Sequence, residues 1–329
     1  MHPRCGDAQR VAVEPLKHSA MDNPDHGHQP VLLTETVTLL NIEESSTVVD
    51  CTTGRGGHAQ AIGQKLGPSG NLICIDTDDR NLHYAKSRLA DLPCKRRFFH
   101  ANFSQIQEIL RTAGIARVDA ILADLGVSTN QLITGDYGLS FSNESPLDMR
   151  LDQRSHSTAA HLVNRLAEHD LADILFRNAD ERYSRRIARA IVEARKRKPI
   201  ETTGELAQIV RSAVKGASRD AIDSATRTFQ ALRMEVNQEL PALSALLSSV
   251  VALQQPGMRL GVISFHSGED RIVKQAMRQW QADDLGVVLT KKPIAPTDAE
   301  IYANPRSRSA KLRGFEFRAG GDATSAVRQ

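Results

Sequence analysis

The chain has 329 residues, of which 40% are apolar and 25% charged, with a formal net charge of +3. This is the composition of one large folded domain or two, and it excludes a chain disordered throughout. No apolar run approaches the roughly 18 residues needed to span a bilayer, so no membrane-spanning helix is expected.

Residues 1–27 mix Arg4, Arg10 and Lys17 with Asp7, Glu14, Asp22 and Asp25 and hold no apolar core. That speaks against a secretion signal, and a disordered extension is expected there, with Met21 as an alternative start. Cys5, Cys51, Cys74 and Cys94 form no CxxC pair. Reduced thiols in a cytoplasmic protein are expected, with no metal.

From residue 46 short β-branched runs alternate with helical patterns. STVVDCTT reads as a strand and GGHAQAIGQKL as a helix; NLICID and DRNLHYAKSRLA repeat the pair. RRFFHAN is a third strand, SQIQEILRTAG a helix, and VDAILADL a fourth strand. Such alternation predicts a parallel α/β sheet with right-handed crossovers, doubly wound, with ligands outside the carboxyl ends of its strands. Residues 126–147, rich in Gly, Ser, Asn and Thr, read as a long functional loop. From 148 to 225 the pattern is helical only, punctuated by Pro199 and Gly216. A long helix is predicted from Thr226, then a fifth strand in MRLGVISF and two more within 284–318. Ser267 and Asp270 fit a capping box opening the next helix. The expected division is therefore an α/β domain over 28–147 and 226–318, an inserted helical domain over 148–225, and a disordered tail over 319–329.

The segment VVDCTTGRGGH ends a strand at Asp50, turns on glycines and opens a helix near Gly56. Glycine permits positive φ and close approach of a ligand. Asp76 ends the second strand, where a carboxylate can accept both hydroxyls of a ribose. The turn lacks the G-x-G-x-x-G of a dinucleotide site, which favours S-adenosylmethionine and a methyltransferase; a nicotinamide enzyme stays the alternative. Asp124, ending the fourth strand, lies where an acid would face adenine or the methyl donor.

With DCTTGRGGH, the strings DLGVSTNQL, PLDMRLD, TRTFQALRMEVNQEL, ISFHSGEDRIVK and NPRSRSAKLR resemble the bacterial 16S ribosomal RNA cytosine-N4 methyltransferases, the small-subunit methyltransferase H family, also called MraW. The resemblance runs from His28 to Arg313. It implies a class I (Rossmann-like) S-adenosylmethionine-dependent methyltransferase sheet with an inserted α-helical, substrate-recognising domain. It implies N4 methylation of cytidine 1402 at the decoding centre, in 16S ribosomal RNA of the small subunit. The implied cofactor contacts are Gly56, Gly57, His58, Asp76, Phe103, Asp124 and Gln131. The sequence departs from the family at Cys51, where Gly is usual, at Thr53 for Phe, at Thr129-Asn130 for Ser-Pro, and at Gly268 for Leu. Cys51 and Gly268 motivate a second reading, an RNA-binding assembly factor of the same fold that is catalytically impaired.

Cytosine N4 is a weak nucleophile, and Asp124 is the candidate to orient it. Two basic runs mark candidate RNA contacts: Arg185, Arg186 and Arg189 within 182–198, and Arg306 and Arg308 within 304–318. Arg227, Gln230 and Arg233 either face RNA or brace the insertion, and His266, at the mouth of the fifth strand, is a candidate substrate contact. His266-Ser267 cannot be a nucleophile–base pair, being adjacent. A homodimer is left open, and no membrane partner is expected.

Overall fold

The computed structural model describes residues 30–142, 144–214 and 223–318. The expected extension and tail, His28 and Gly216 lie outside them. The chain runs α1 (Leu33–Leu40), β1 (Thr47–Asp50), α2 (Gly57–Gly63), β2 (Asn71–Asp76), α3 (Asp79–Arg88), β3 (Lys95–His100), α4 (Ile106–Thr112), β4 (Ala120–Asp124) and α5 (Thr129–Ile133). The helices α6 (Ala159–Arg165), α7 (Glu168–Ala179), α8 (Ser184–Arg195), α9 (Thr203–Val214), α10 (Ala225–Val236) and α11 (Glu239–Leu253) follow. The chain then closes with β5 (Arg259–Ser264), α12 (Ser267–Ala282), β6 (Gly286–Val288), α13 (Asp298–Ala303) and β7 (Lys311–Phe317).

The seven strands form one sheet in the order β3-β2-β1-β4-β5-β7-β6. β1 to β5 are parallel, while β7 pairs antiparallel with both β5 and β6. The α/β sheet is as expected, with the two last strands departing from the expected parallel order. β1, β2, β4 and β5 are near-continuously buried, as strands covered on both faces must be. β3, at the edge, exposes Lys95 and Arg97, charges that discourage pairing with another chain. One core lies on the face of α4, α11 and α12 and includes Val49, Ile121, Leu246 and Trp280; the other lies under α1, α2 and α3 and includes Val48, Ile62, Leu72 and Leu89.

Helices α6 to α10 bury a third core of their own around Leu175, Ile187, Ile191, Leu206 and Phe229. It takes in Tyr137, Leu139 and Leu147 before the 148–225 stretch and Leu232 and Val236 after it. No described residue of that stretch joins the sheet.

Three local expectations are corrected. The loop at 126–147 contains a short helix, α5, closed by a reciprocal capping box between Ser128 and Gln131. The long helix predicted from Thr226 is two helices bent by 52°, because Gln238 takes a left-handed conformation (φ 50°). α12 is capped one residue earlier than predicted: His266 Nδ1 accepts the Glu269 N–H at 3.4 Å, while Asp270 turns instead to Arg313, 2.7 Å away. Among the described residues no single helix is long and apolar enough to cross a membrane.

Candidate active site

The carboxyl ends of β1, β2 and β4 lie side by side, and each strand ends on an aspartate: Asp50, Asp76 and Asp124. A cavity of about 350 Å³ opens over them, within the usual range for small-molecule sites. Burial pushes all three carboxyls up to about 7. The charges of Asp124 and Asp76 add to the shift at Asp50, and that of Glu269 to the shift at Asp124.

Asp76 holds the glycine-rich turn: its Oδ2 accepts the Gly54 N–H at 2.6 Å and its Oδ1 the Asp78 N–H at 2.8 Å. The turn delivers the chain to Gly56, the N-cap of α2, whose φ of 82° suits glycine. Gly56 itself does not line the cavity, and a Cβ there would touch Ala85 and Leu89 of α3. In the structure it forms the turn and packs against α3. Gly57, His58, Asp76, Phe103, Asp124 and Gln131 do line the cavity together. A Cβ on Gly57 would come within 2.5 Å of Pro30 Cγ, so glycine lets the N-terminal segment close over the helix start.

His58 is buried, with Nε2 3.0 Å from the Val31 carbonyl and Nδ1 3.5 Å from Asp124 Oδ2. The Asp124 N–H donates to Thr52 Oγ1 at 2.6 Å, yet its Oδ1, although buried, has no protein partner. A buried acceptor left open at a cavity wall is a place for a ligand's donor or positive charge. Phe103 sits in the turn after β3, packed on the core and facing the cavity. Gln131 is held at both ends of its amide: Oε1 accepts the Ser128 N–H at 2.9 Å and Nε2 donates to Asp78 Oδ2 at 2.8 Å.

Asp78 was not singled out from sequence, yet it ties this side together. It caps α3 through the Arg80 N–H and accepts both the Gln131 amide and the Tyr137 hydroxyl, the latter at 2.6 Å. Burial and that bond push the Tyr137 hydroxyl well above its ordinary range. Asp50 was read only as a strand end. Its Oδ2 is buried and unpartnered, although Asp50 does not line the cavity, and an acid ending a strand beside a glycine-rich turn was the available signal. Cys51, also on the wall, is buried with its N–H on the Leu122 carbonyl at 2.8 Å and introduces no positive φ. Asn130 donates to Asn81 Oδ1 at 3.0 Å.

Five carboxylates line the cavity, Asp76, Asp124, Asp152, Glu239 and Glu269, against two arginines, Arg55 and Arg306. Arg306 is thus the one member of the 304–318 basic run to reach the cavity, while Arg308 is exposed elsewhere on the same turn. Of the two readings left open for Arg233, the structure favours a brace: it donates two 2.8 Å bonds to Glu239, and both side chains are largely enclosed (17% and 16% exposed). Arg227, Gln230 and His266 come together in a second groove. Glycine at 268 leaves the His266 ring its room, since a Cβ would lie 3.1 Å from Nδ1. Glu239, His266 and Glu269 place donor atoms within 4.8 Å of one another, a group the metal-free expectation did not foresee. Both Glu239 oxygens already accept from Arg233, and one Glu269 oxygen accepts the Phe265 N–H. Arg185, Arg186 and Arg189 are exposed on α8 and line neither cavity, Arg189 lying 3.5 Å from Glu168.

A model of the MraW methylase family matches residues 25–318. The chain is 41% identical over 313 residues to a ribosomal RNA small subunit methyltransferase H from Symbiobacterium thermophilum, covering 90% of this chain and 98% of that protein. It is 44% identical over 296 residues to a protein of the same description from Acidobacterium capsulatum, covering 88% and 98%. Among solved structures, a putative rRNA methylase from Clostridium thermocellum aligns at 14% identity with a TM-score of 0.41, covering 88% of this chain and 98% of that one.

Proposed function

The chain belongs to the MraW methylase family, and from that premise we propose that it methylates N4 of cytidine 1402 in the 16S RNA of the small ribosomal subunit. The methyl donor is S-adenosylmethionine. The observation that carries this reading is the buried, unpartnered Asp124 Oδ1 on a carboxylate-lined cavity at the strand ends. Such walls favour a cation with several donors and disfavour the pyrophosphate of a dinucleotide.

When bound, the donor supplies an electrophilic methyl group on a positively charged sulfur. Asp76, fixed by Gly54 and Asp78, presents its remaining lone pairs to the ribose hydroxyls. Phe103 offers a ring against adenine, and Gln131 and the start of α2 at Gly57 and His58 complete the wall. His58 Nδ1 lies 3.5 Å from one oxygen of Asp124, and the other, the unpartnered Oδ1, would accept an N–H of the cytosine amine and so orient it for transfer. The proton released on N-methylation passes to that carboxylate. Leu125, Leu243 and Phe265 give the cavity an apolar part of its wall. A base in folded RNA must be unstacked to enter. The insertion's exposed Arg185, Arg186 and Arg189, with Arg306 and Arg308, supply phosphate contacts around it. The work is done in the cytoplasm, where the subunit is built.

The test is to incubate the protein with labelled methyl donor and small subunits lacking the modification, then map the label. Label at N4 of a single decoding-centre cytidine is expected. Label on another base or on a ribose overturns the assignment of the acceptor. Tight subunit binding with no transfer would favour the assembly-factor reading that Cys51 and Gly268 raised.

A further inference from the structure

Beside the cavity lies a second groove of about 390 Å³, between the helical insertion and the start of α12. Four arginines converge on it from separate elements: Arg177 near the end of α7, Arg182 after it, Arg227 on α10 and Arg271 on α12. Asp180, 3.9 Å from Arg271, is the one acid among its lining residues. Gln230 and His266 add polar groups to the wall.

The groove and the cavity share a partition. The start of α11 gives Glu239 to the cavity and Leu240 to the groove. The turn after β5 gives Phe265 and Glu269 to the cavity and His266 to the groove. One layer of side chains therefore separates a carboxylate-lined chamber from an arginine-lined one. That contrast sorts the parts of a nucleotide: a neutral base can enter the acidic chamber, whereas a phosphodiester is repelled by it and attracted next door.

We infer that this groove holds a backbone phosphate of the RNA strand, next to the nucleotide whose base enters the cavity. The inference rests on the reading that the substrate is RNA. Guanidinium forks match phosphate oxygens in pairs, which suits arginine here better than lysine. An acidic peptide would satisfy the same charges, but only a nucleic acid also uses the adjoining base-sized chamber.

The test is the binding of a fluorescent twelve-nucleotide single-stranded RNA across a salt series, with wild type and the triple variant R177E/R182E/R271E. All three arginines are exposed on the surface, so the fold should tolerate the change. The variant should bind at least ~10-fold more weakly, and its slope of log affinity against log salt should be shallower by about 0.7, the value for one phosphate contact on a single strand. R177K/R182K/R271K should retain the slope. Affinity for S-adenosylmethionine, by calorimetry, should match wild type. A variant with the wild-type affinity and slope overturns the inference, as does a wild type that binds polyglutamate as tightly as the RNA, or binds no RNA. The measurement needs no methyl transfer. A protein that methylates nothing but loses RNA binding in the groove variant would refute the function proposed above and leave the groove standing.

Discussion

In the proposed reaction Asp124 serves two charges in turn, and its environment sets their pH dependence. With its carboxyl near 7 and Oδ1 unpartnered, it is only partly ionised at neutral pH in the ligand-free protein. A sulfonium beside it favours the carboxylate, so binding the donor should release protons at pH 7, and affinity should rise from pH 6 to pH 8. Calorimetry in buffers of different ionisation enthalpy reads the release directly; Asp124→Asn should lose much of it, and an unchanged release would move the site elsewhere. The same shifts act on folding. Asp50, Asp76 and Asp124 titrate in the folded protein about three units above their usual 3.8. The folded state therefore binds more protons than the unfolded one across that window, and these groups make ligand-free stability fall as pH rises from about 4 to 7.

At the scale of elements, the break between α10 and α11 matters more than either helix. Gln238 turns the chain, and Arg233 reaches across the turn to Glu239 with two parallel bonds in an enclosed setting. Removing one partner strands the other's charge. Arg233→Ala should cost on the order of 3 kcal/mol in chemical denaturation, while the double change with Glu239→Ala should cost less than the sum of the two single changes. Strict additivity would mean the pair does not brace the turn. The turn also carries a wall of the cavity, through Asn237, Gln238 and Glu239, so its geometry is shared by the fold and the site.

For the whole molecule the distribution of charge is more telling than its sum. A net +3 conceals an acidic cavity and basic outer faces. Reversing Arg185, Arg186 and Arg189 to Glu on α8 should weaken binding to small subunits and lower the salt slope by about two, with donor affinity unchanged. A wild-type slope would make the run only a solvated helix face. At this scale the sequence was legible where periodicity carries the information. β1, β2, β4 and β5 appeared as apolar runs because strands covered on both faces leave little room for polar residues.

The residues at strand ends were legible too, since Asp50, Asp76 and Asp124 must close their strands wherever the sheet presents them to a ligand. Gly56 shows the limit: its φ of 82° follows from the turn, but whether it faces a ligand or α3 depends on how α3 lies across it. The same holds for Arg233 and Arg227, which share one helix and read alike in sequence. Only the left-handed turn at Gln238 brings Glu239 back to Arg233, and only the approach of α12 brings Arg271 and His266 to Arg227. Local chemistry thus determined the strands, the turns and the acids that end them, because those depend on neighbours in the chain. The pairing of distant charges, the partition between acidic and basic chambers, and the bend of 52° were decided by tertiary packing, because each requires elements far apart in sequence to share one surface.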